Sequence, residues 1–143
     1  MIITQLSVFV ENKPGRLCAI TEILANNGID ISALSLADAE EYGILRLIVD
    51  SPDKARDVLM ESGVIVKRNH VNAVALNDVP GGSVGILKVL AEKQLNVEYL
   101  YAFVGKVSGK ALMIVRTDNH EKAEEVLKEN GYAEINPADV YRI

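Results

Sequence analysis

Two segments of this sequence are built to receive a charged group, Asn12-Lys13-Pro14-Gly15-Arg16 and Asp78-Val79-Pro80-Gly81-Gly82. Each stands where a strand pattern gives way to a helical one. A helix start offers unpaired N–H groups and a partial positive charge, which suits a carboxylate or a phosphate, and a glycine there lets a ligand approach the backbone closely. Proline beside the glycine fits the same place, since its missing N–H costs nothing at the opening of a helix. Arg16 adds a guanidinium that could clamp an anion. Other chemistry is thinly provided for. His70 and His120 are the only histidines and Cys18 the only cysteine, so there is no ligand set at zinc spacing, and neither a metal nor a cofactor is expected. Cys18 has no base in view and reads as a small apolar helix residue. With no paired carboxylates on a cleft, no catalytic residue is expected.

The elements that must position these residues follow from an internal repeat. Pro14-Gly15 recurs as Pro80-Gly81, an offset of 66 residues that also pairs Ile20 with Ile86, Leu24 with Leu90 and Ile29-Asp30-Ile31 with Leu95-Asn96-Val97. From Asp50 and Asp118 onward the offset is 68, pairing Val58-Leu59 with Val126-Leu127 and Gly63 with Gly131. The extra residues fall in the turn around 104–110, where insertions are tolerated.

Each copy reads as strand, helix, strand pair, helix, strand. Residues 2–10 alternate as a strand. Asn12 to Gly15 opens a helix with Leu17, Ile20, Ile23 and Leu24 on one face, ended by Gly28. Residues 29–37 and 42–50 form a strand pair around the turn at 38–41, Ser51-Pro52-Asp53 caps a second helix ended at Gly63, and residues 64–66 make a fourth strand. The second copy repeats this order from Val71 to Ile143, with helices near 80–93 and 119–130. The expected fold class is α+β: two βαββαβ domains, residues 1–70 and 71–143, each an antiparallel sheet with both helices on one face. About 70 residues alone bury little surface, so the two are expected to pack as a pseudo-dimer.

Composition sets the class of protein. With 49% hydrophobic and 24% charged residues the chain is globular rather than disordered, and no apolar run reaches the roughly 18 to 20 residues of a membrane span. The lack of a leader pattern and the single cysteine lead to the expectation of a cytoplasmic location, with no membrane partner. A net charge of −5 argues against nucleic acid. Tyr99, Tyr101 and Phe103 alternate on one strand and could stack a planar group, but with this charge their expected role is packing.

Asn12-Lys13-Pro14-Gly15-Arg16-Leu17 after a strand, with Gly28-Ile29-Asp30-Ile31 beyond the helix, resembles the ACT domain, a small-molecule regulatory module of amino-acid metabolism. Asp78-Val79-Pro80-Gly81 and Gln94-Leu95-Asn96-Val97 resemble it again, so the resemblance covers nearly the whole chain. It implies a ferredoxin-like fold that pairs with another copy, often into one continuous sheet, with an amino acid held at the pairing interface. In the family members whose site is best defined, an asparagine two residues before the Pro-Gly of one domain and another just after the first helix of its neighbour both hold the ligand. Mapped onto this sequence, Asn12 crosses with Asn96, and Asp78 with Asp30. The resemblance thus implies a site of Asn12, Lys13, Gly15, Arg16 and Leu17 with Asn96, Glu98 and Leu100. Asparagines can donate to a carboxylate and accept from an ammonium. Paired aspartates only accept, so a second site at Asp78, Gly81, Gly82, Ser83 and Asp30 is expected to be degenerate.

The expected function is non-catalytic, regulatory binding of a small amino acid at the interface between the chain's two domains, one occupied site per chain, signalled to a partner protein that the sequence does not identify. Two alternatives stand beside it. An acylphosphatase-like hydrolase shares the βαββαβ order and would use Arg16, but residues 42–50 include no asparagine to position water, and Gly82 matches Arg16 in the second copy. The other is a purely structural interaction subunit. On the sheet faces away from the helices, Phe9, Ile44, Ile48, Val71, Ala73, Ala75, Leu112 and Ile114 are expected to form an apolar surface, and Val84, Leu87 and Ala91 an extra stripe on a helix. A second identical chain, in a homodimer or higher homo-oligomer, is the expected cover.

Overall fold

Alternation along the first residues makes strand β1 (Ile2–Glu11), whose Leu6, Val8 and Val10 turn into a core. The computed structural model describes residues 1–37, 40–107, 109–132 and 135–141. After β1 come α1 (Arg16–Asn26), β2 (Ile31–Ala37), β3 (Tyr42–Val49), α2 (Pro52–Glu61), β4 (Val66–Asn77), α3 (Val84–Glu92), β5 (Val97–Val107), β6 (Lys110–Thr117), α4 (His120–Glu129) and α5 (Pro137–Tyr141). The fold is a mixed α+β one with antiparallel pairing. The turn expected at 38–41 lies partly outside the described residues. Among the described residues no helix is long and apolar enough to cross a membrane.

The chain divides into two compact units. One comprises Thr4–Asn69 with the C-terminal Tyr141, the other Met1–Ile3 with His70–Val140. In the first-repeat unit β3 lies between β1 and β2, with Leu6 opposite Leu47 and Phe9 opposite Ile44. α1 and α2 supply Ile20, Leu24, Ala55 and Leu59 to a core shared with Leu45, Leu47 and Val49. In the second-repeat unit β6 lies between β4 and β5, with Asn72 opposite Val115 and Ala75 opposite Leu112. These registers are the first unit's, moved by 66 residues on one strand and 68 on the other. Ile86, Leu90, Ala123 and Leu127 build the matching core.

Several expectations need correcting. Helix α1 begins at Arg16, so Pro14 belongs to the preceding turn and not to the first helical turn. Ser51 stands at the start of α2 but its side chain makes no capping bond; Asn119 does cap α4, accepting from the Lys122 N–H at 2.9 Å. Cys18 is exposed rather than packed. The Glu22 carboxylate, 3.6 Å away, pushes its thiol up, which opposes a thiolate. The fourth strand of the first repeat runs into the first strand of the second as one β4, in keeping with the absence of proline and glycine from 64–76.

The strand expected after the fourth helix falls at 132–134, and 133 and 134 lie outside the described residues; farther on the chain forms the short helix α5. Asn136 and Pro137 suit that helix: the Asn136 side chain accepts from the Ala138 N–H at 3.0 Å, and proline fits the first turn. β4 is joined by the chain's opening residues. The Met1 ammonium donates to the Ala73 carbonyl at 3.0 Å, and the Ala73 N–H donates to the Met1 carbonyl at 2.8 Å. Met1 also lies 2.9 Å from Glu124. Burial alone would push the Glu124 carboxyl up, but the ammonium, Lys128 and Asn72 together hold it below its usual range.

Of the apolar residues expected opposite the helices, Ile48, Val71, Ala73, Leu112 and Ile114 are buried, whereas Phe9 is exposed; Val140 of α5 is buried too. Val84 of the expected helix stripe is exposed, and so are Leu34 and Leu36 of β2 and Leu100 and Val104 of β5 on the outer strands. Tyr99 and Tyr101 are half-buried and Phe103 buried, so the aromatic row packs.

Candidate functional site

Backbone geometry fixes the start of α1. Gly15 sits at φ +85°, a left-handed conformation costly for any residue with a Cβ, and its carbonyl accepts from the Ala19 N–H at 3.0 Å. Upstream, the Asn12 N–H donates to the Glu41 carbonyl at 2.9 Å and its side-chain amide to the Glu40 carbonyl at 3.1 Å, which ties the loop to the approach of β3. Lys13 and Arg16 lie 3.1 and 3.8 Å from the Glu11 carboxylate. Lys13 foremost, then Arg16, holds that carboxyl below its usual range. The loop therefore presents two cations and one ionised carboxylate to solvent.

Two hollows flank this helix start. The smaller, about 80 Å³, is lined by Val10, Glu11, Asn12, Lys13, Leu17, Leu36 and Gly43. The larger, about 290 Å³, uses a different stripe of α1: Arg16, Ala19, Ile20 and Ile23 wall it with Phe9, Tyr42 and residues 62–65. The expected site residues thus separate. Asn12, Lys13 and Leu17 share the small hollow beside the outer strand β2, and Arg16 lines the larger cleft.

In the second repeat Gly81, at φ +79°, repeats the turn of Gly15. Gly82, in the place of Arg16, has no room for a side chain, because a Cβ would collide with the Asn77 carbonyl oxygen. No cation can stand there without moving the backbone. A hollow of about 280 Å³ is lined by Gly81, Gly82, Lys110 and Tyr132 among others, without Asp78 or Ser83. Asp78 is exposed, and the Ser83 side chain makes no capping bond. Asp30 is exposed in its own unit, its carbonyl accepting from the Asp50 N–H at 3.1 Å. Asn96 leads into β5, its N–H donating to the Asp118 side chain at 3.1 Å; farther along that strand Glu98 pairs with Arg116 at 3.2 Å, and Leu100 is exposed.

Across the described residues no group of three or more His, Cys, Asp or Glu converges as metal ligands. His70 and His120 face each other with ring centroids 5.5 Å apart.

The sequence model of the ACT domain pair matches residues 1–143. This chain belongs to the ACT family. A crystal structure of a Bacteroides thetaiotaomicron protein is 36% identical, covers 100% of this chain and 98% of its own, and has a TM-score of 0.91. The regulatory subunit of aspartate kinase from Thermus thermophilus shares the fold at 13% identity, over 92% of this chain and 97% of that one, with a TM-score of 0.63. Escherichia coli aspartokinase III, crystallised in complex with lysine and aspartate, shares it at 21% identity over 90% of this chain and 31% of that one, with a TM-score of 0.52. No curated protein matches the sequence. Within this ACT pair, sequence reasoning missed the walls of the larger cleft, Ala19, Ile23, Tyr42 and Val64. A comparison of the repeats could have found them, since Ala19 and Val64 pair with Gly85 and Tyr132, an exchange of sizes between facing positions.

Proposed function

We propose that this ACT pair is a non-catalytic sensor that binds a small amino acid and signals to a partner protein. The observation that carries the reading is the small hollow at the left-handed Gly15 turn, where the amide of Asn12, the ammonium of Lys13 and the start of α1 converge. A free carboxylate is matched there by Lys13 and the helix start, and an ammonium by Glu11. The site is completed by Asn96, Glu98 and Leu100 of a second copy of the chain, brought in by edge-to-edge pairing of outer strands β2 and β5. The exposed leucines on both strands support this, since unpaired edges with apolar side chains invite a further strand. The kinase relatives, one of them complexed with lysine and aspartate, support an amino-acid ligand and a regulatory role.

Isothermal titration with a panel of amino acids tests the reading. One member is expected to give saturable heat, lost in Asn12→Ala and Asn96→Ala alike, and light scattering at micromolar concentration is expected to show at least a dimer. Silence across the panel would favour a structural subunit. Turnover of an acyl phosphate, lost in Arg16→Ala, would favour the hydrolase.

A further inference from the structure

The two repeats fold the segment after their second helix alike. The Val64 N–H donates to the Leu59 carbonyl at 3.0 Å, and the Tyr132 N–H to the Leu127 carbonyl at 2.8 Å. By the offsets that the strand registers obey, Tyr132 holds the place of Val64 and Gly85 that of Ala19. In the second-repeat unit the Tyr132 ring lies against α3 so closely that a Cβ on Gly85 would collide with its hydroxyl. With Val89 it packs on the core of that unit. Glycine on the helix and tyrosine on the turn are therefore one device, a ring plugged into a notch.

In the first-repeat unit the notch has no such ring. Valine and alanine stand at the two positions, and the cleft of about 290 Å³ opens between Ile20, Ile23 and Val64. Its rim differs too. Arg16 stands where the other unit has a glycine that tolerates no side chain, and Tyr42 where it has Lys110.

We propose that this cleft binds a small aromatic carboxylate, whose ring takes the place that Tyr132 takes in the other unit and whose carboxylate meets Arg16. The volume sits at the lower end of ligand pockets, which fits one ring and a short acid. The aliphatic walls match an aromatic face, and the planar guanidinium can donate two parallel hydrogen bonds to a carboxylate. Glu11, 3.8 Å from Arg16, sets a limit on ligand charge, because a second acid group would face it. This site lies on a different stripe of α1 from the amino-acid hollow and takes a different ligand.

The probe is 4-hydroxyphenylacetate, which joins the ring of tyrosine to a carboxylate; p-cresol lacks its acid and hexanoate its ring. On the ¹⁵N-labelled full chain the probe is expected to shift the amides of Ala19, Ile23, Gly63 and Ile65, saturating in the low-millimolar range or below. Either control, and Arg16→Gln with the probe, is expected to bind about tenfold more weakly. The double variant Ala19→Gly/Val64→Tyr installs the second repeat's own plug and should fold with its melting temperature unchanged or raised, yet give no shifts. Absence of saturable shifts up to about 10 mM, or unchanged probe affinity in Arg16→Gln, would overturn the proposal whatever the double variant does. Amino-acid titration of the same samples reads the other site separately, so each can fail while the other stands.

Discussion

At one point of the repeat the two units solve the same packing problem in opposite ways. The second sets a tyrosine over a glycine, so that the ring covers the helix wall and the hollow of about 280 Å³ that remains is lined by strand and loop residues with Tyr132 itself; the first sets a valine over an alanine and leaves Ala19, Ile20 and Ile23 of α1 open to the cleft. The backbone hydrogen bonds after the second helix and the strand registers are alike, while the helix on the rim starts two positions later in the second copy, at Val84 against Arg16. Duplication preserves what both copies need in order to fold, the buried face of each helix and the register of each strand. It leaves the ends of the sheets free to diverge, and the charged rim diverges with the notch. Arg16 has a counterpart that cannot be an arginine.

The comparison can be sharpened first where it predicts equality. Leu24 and Leu90 are equivalent and wholly buried, so Leu24→Ala and Leu90→Ala are each expected to cost about 3 kcal/mol by denaturant unfolding. A difference of more than about 1.5 kcal/mol would show that the cores are not equivalent. At the helix starts it predicts inequality. Gly82→Ala forces the Asn77 carbonyl aside and is expected to cost about 2 to 3 kcal/mol, against about 1 kcal/mol for Gly15→Ala, where a Cβ meets open space and only φ resists. The caps come next: Asn119→Ala removes a bonded cap and should lower stability by about 1 kcal/mol, while Ser51→Ala should change it by less than about 0.5 kcal/mol.

The smallest effect is in pH dependence. Glu124 has its carboxyl held low in the folded state, so its contribution is complete above the usual value of 4.5 and is lost as pH falls through the lower folded value. Glu124→Gln should therefore be less stable near neutrality and flatter under acid. Arg56, the equivalent residue, pairs on an exposed face with Asp57 at 2.8 Å, and Arg56→Gln should leave the acid limb in place. Parallel thermal melts across pH 3 to pH 7 would show whether the two variants part in this way.

Much of this was legible in the sequence because period and punctuation are local. The alternation of residues 2–10, the apolar face of α1 and the glycines at 28, 63 and 131 fix strands, helices and their ends within one turn of the chain. Two features were not legible. Extending the repeat says nothing of the short helix α5, since Arg68 and Asn69 stand where the second copy has Asn136 and Pro137. The burial of Ile48, Val71, Ala73, Leu112 and Ile114 was not legible either, because alternation alone says which residues share a face, not what covers them. At the site, the sequence places a helix start near Gly15, and α1 begins at Arg16 after a turn that holds Pro14, but the division of these residues between two hollows depends on which stripe of α1 each occupies.

The pairing of Met1 with Ala73 joins residues 72 apart in sequence, and that distance has a kinetic consequence. The entropy of so long a loop is lost before the contact gives anything back, whereas α1 and the neighbouring strands β5 and β6 close over short stretches of chain. The start of β1 is therefore expected to dock on β4 late in folding, after the local elements have formed. Weakening that contact should speed unfolding more than it slows refolding.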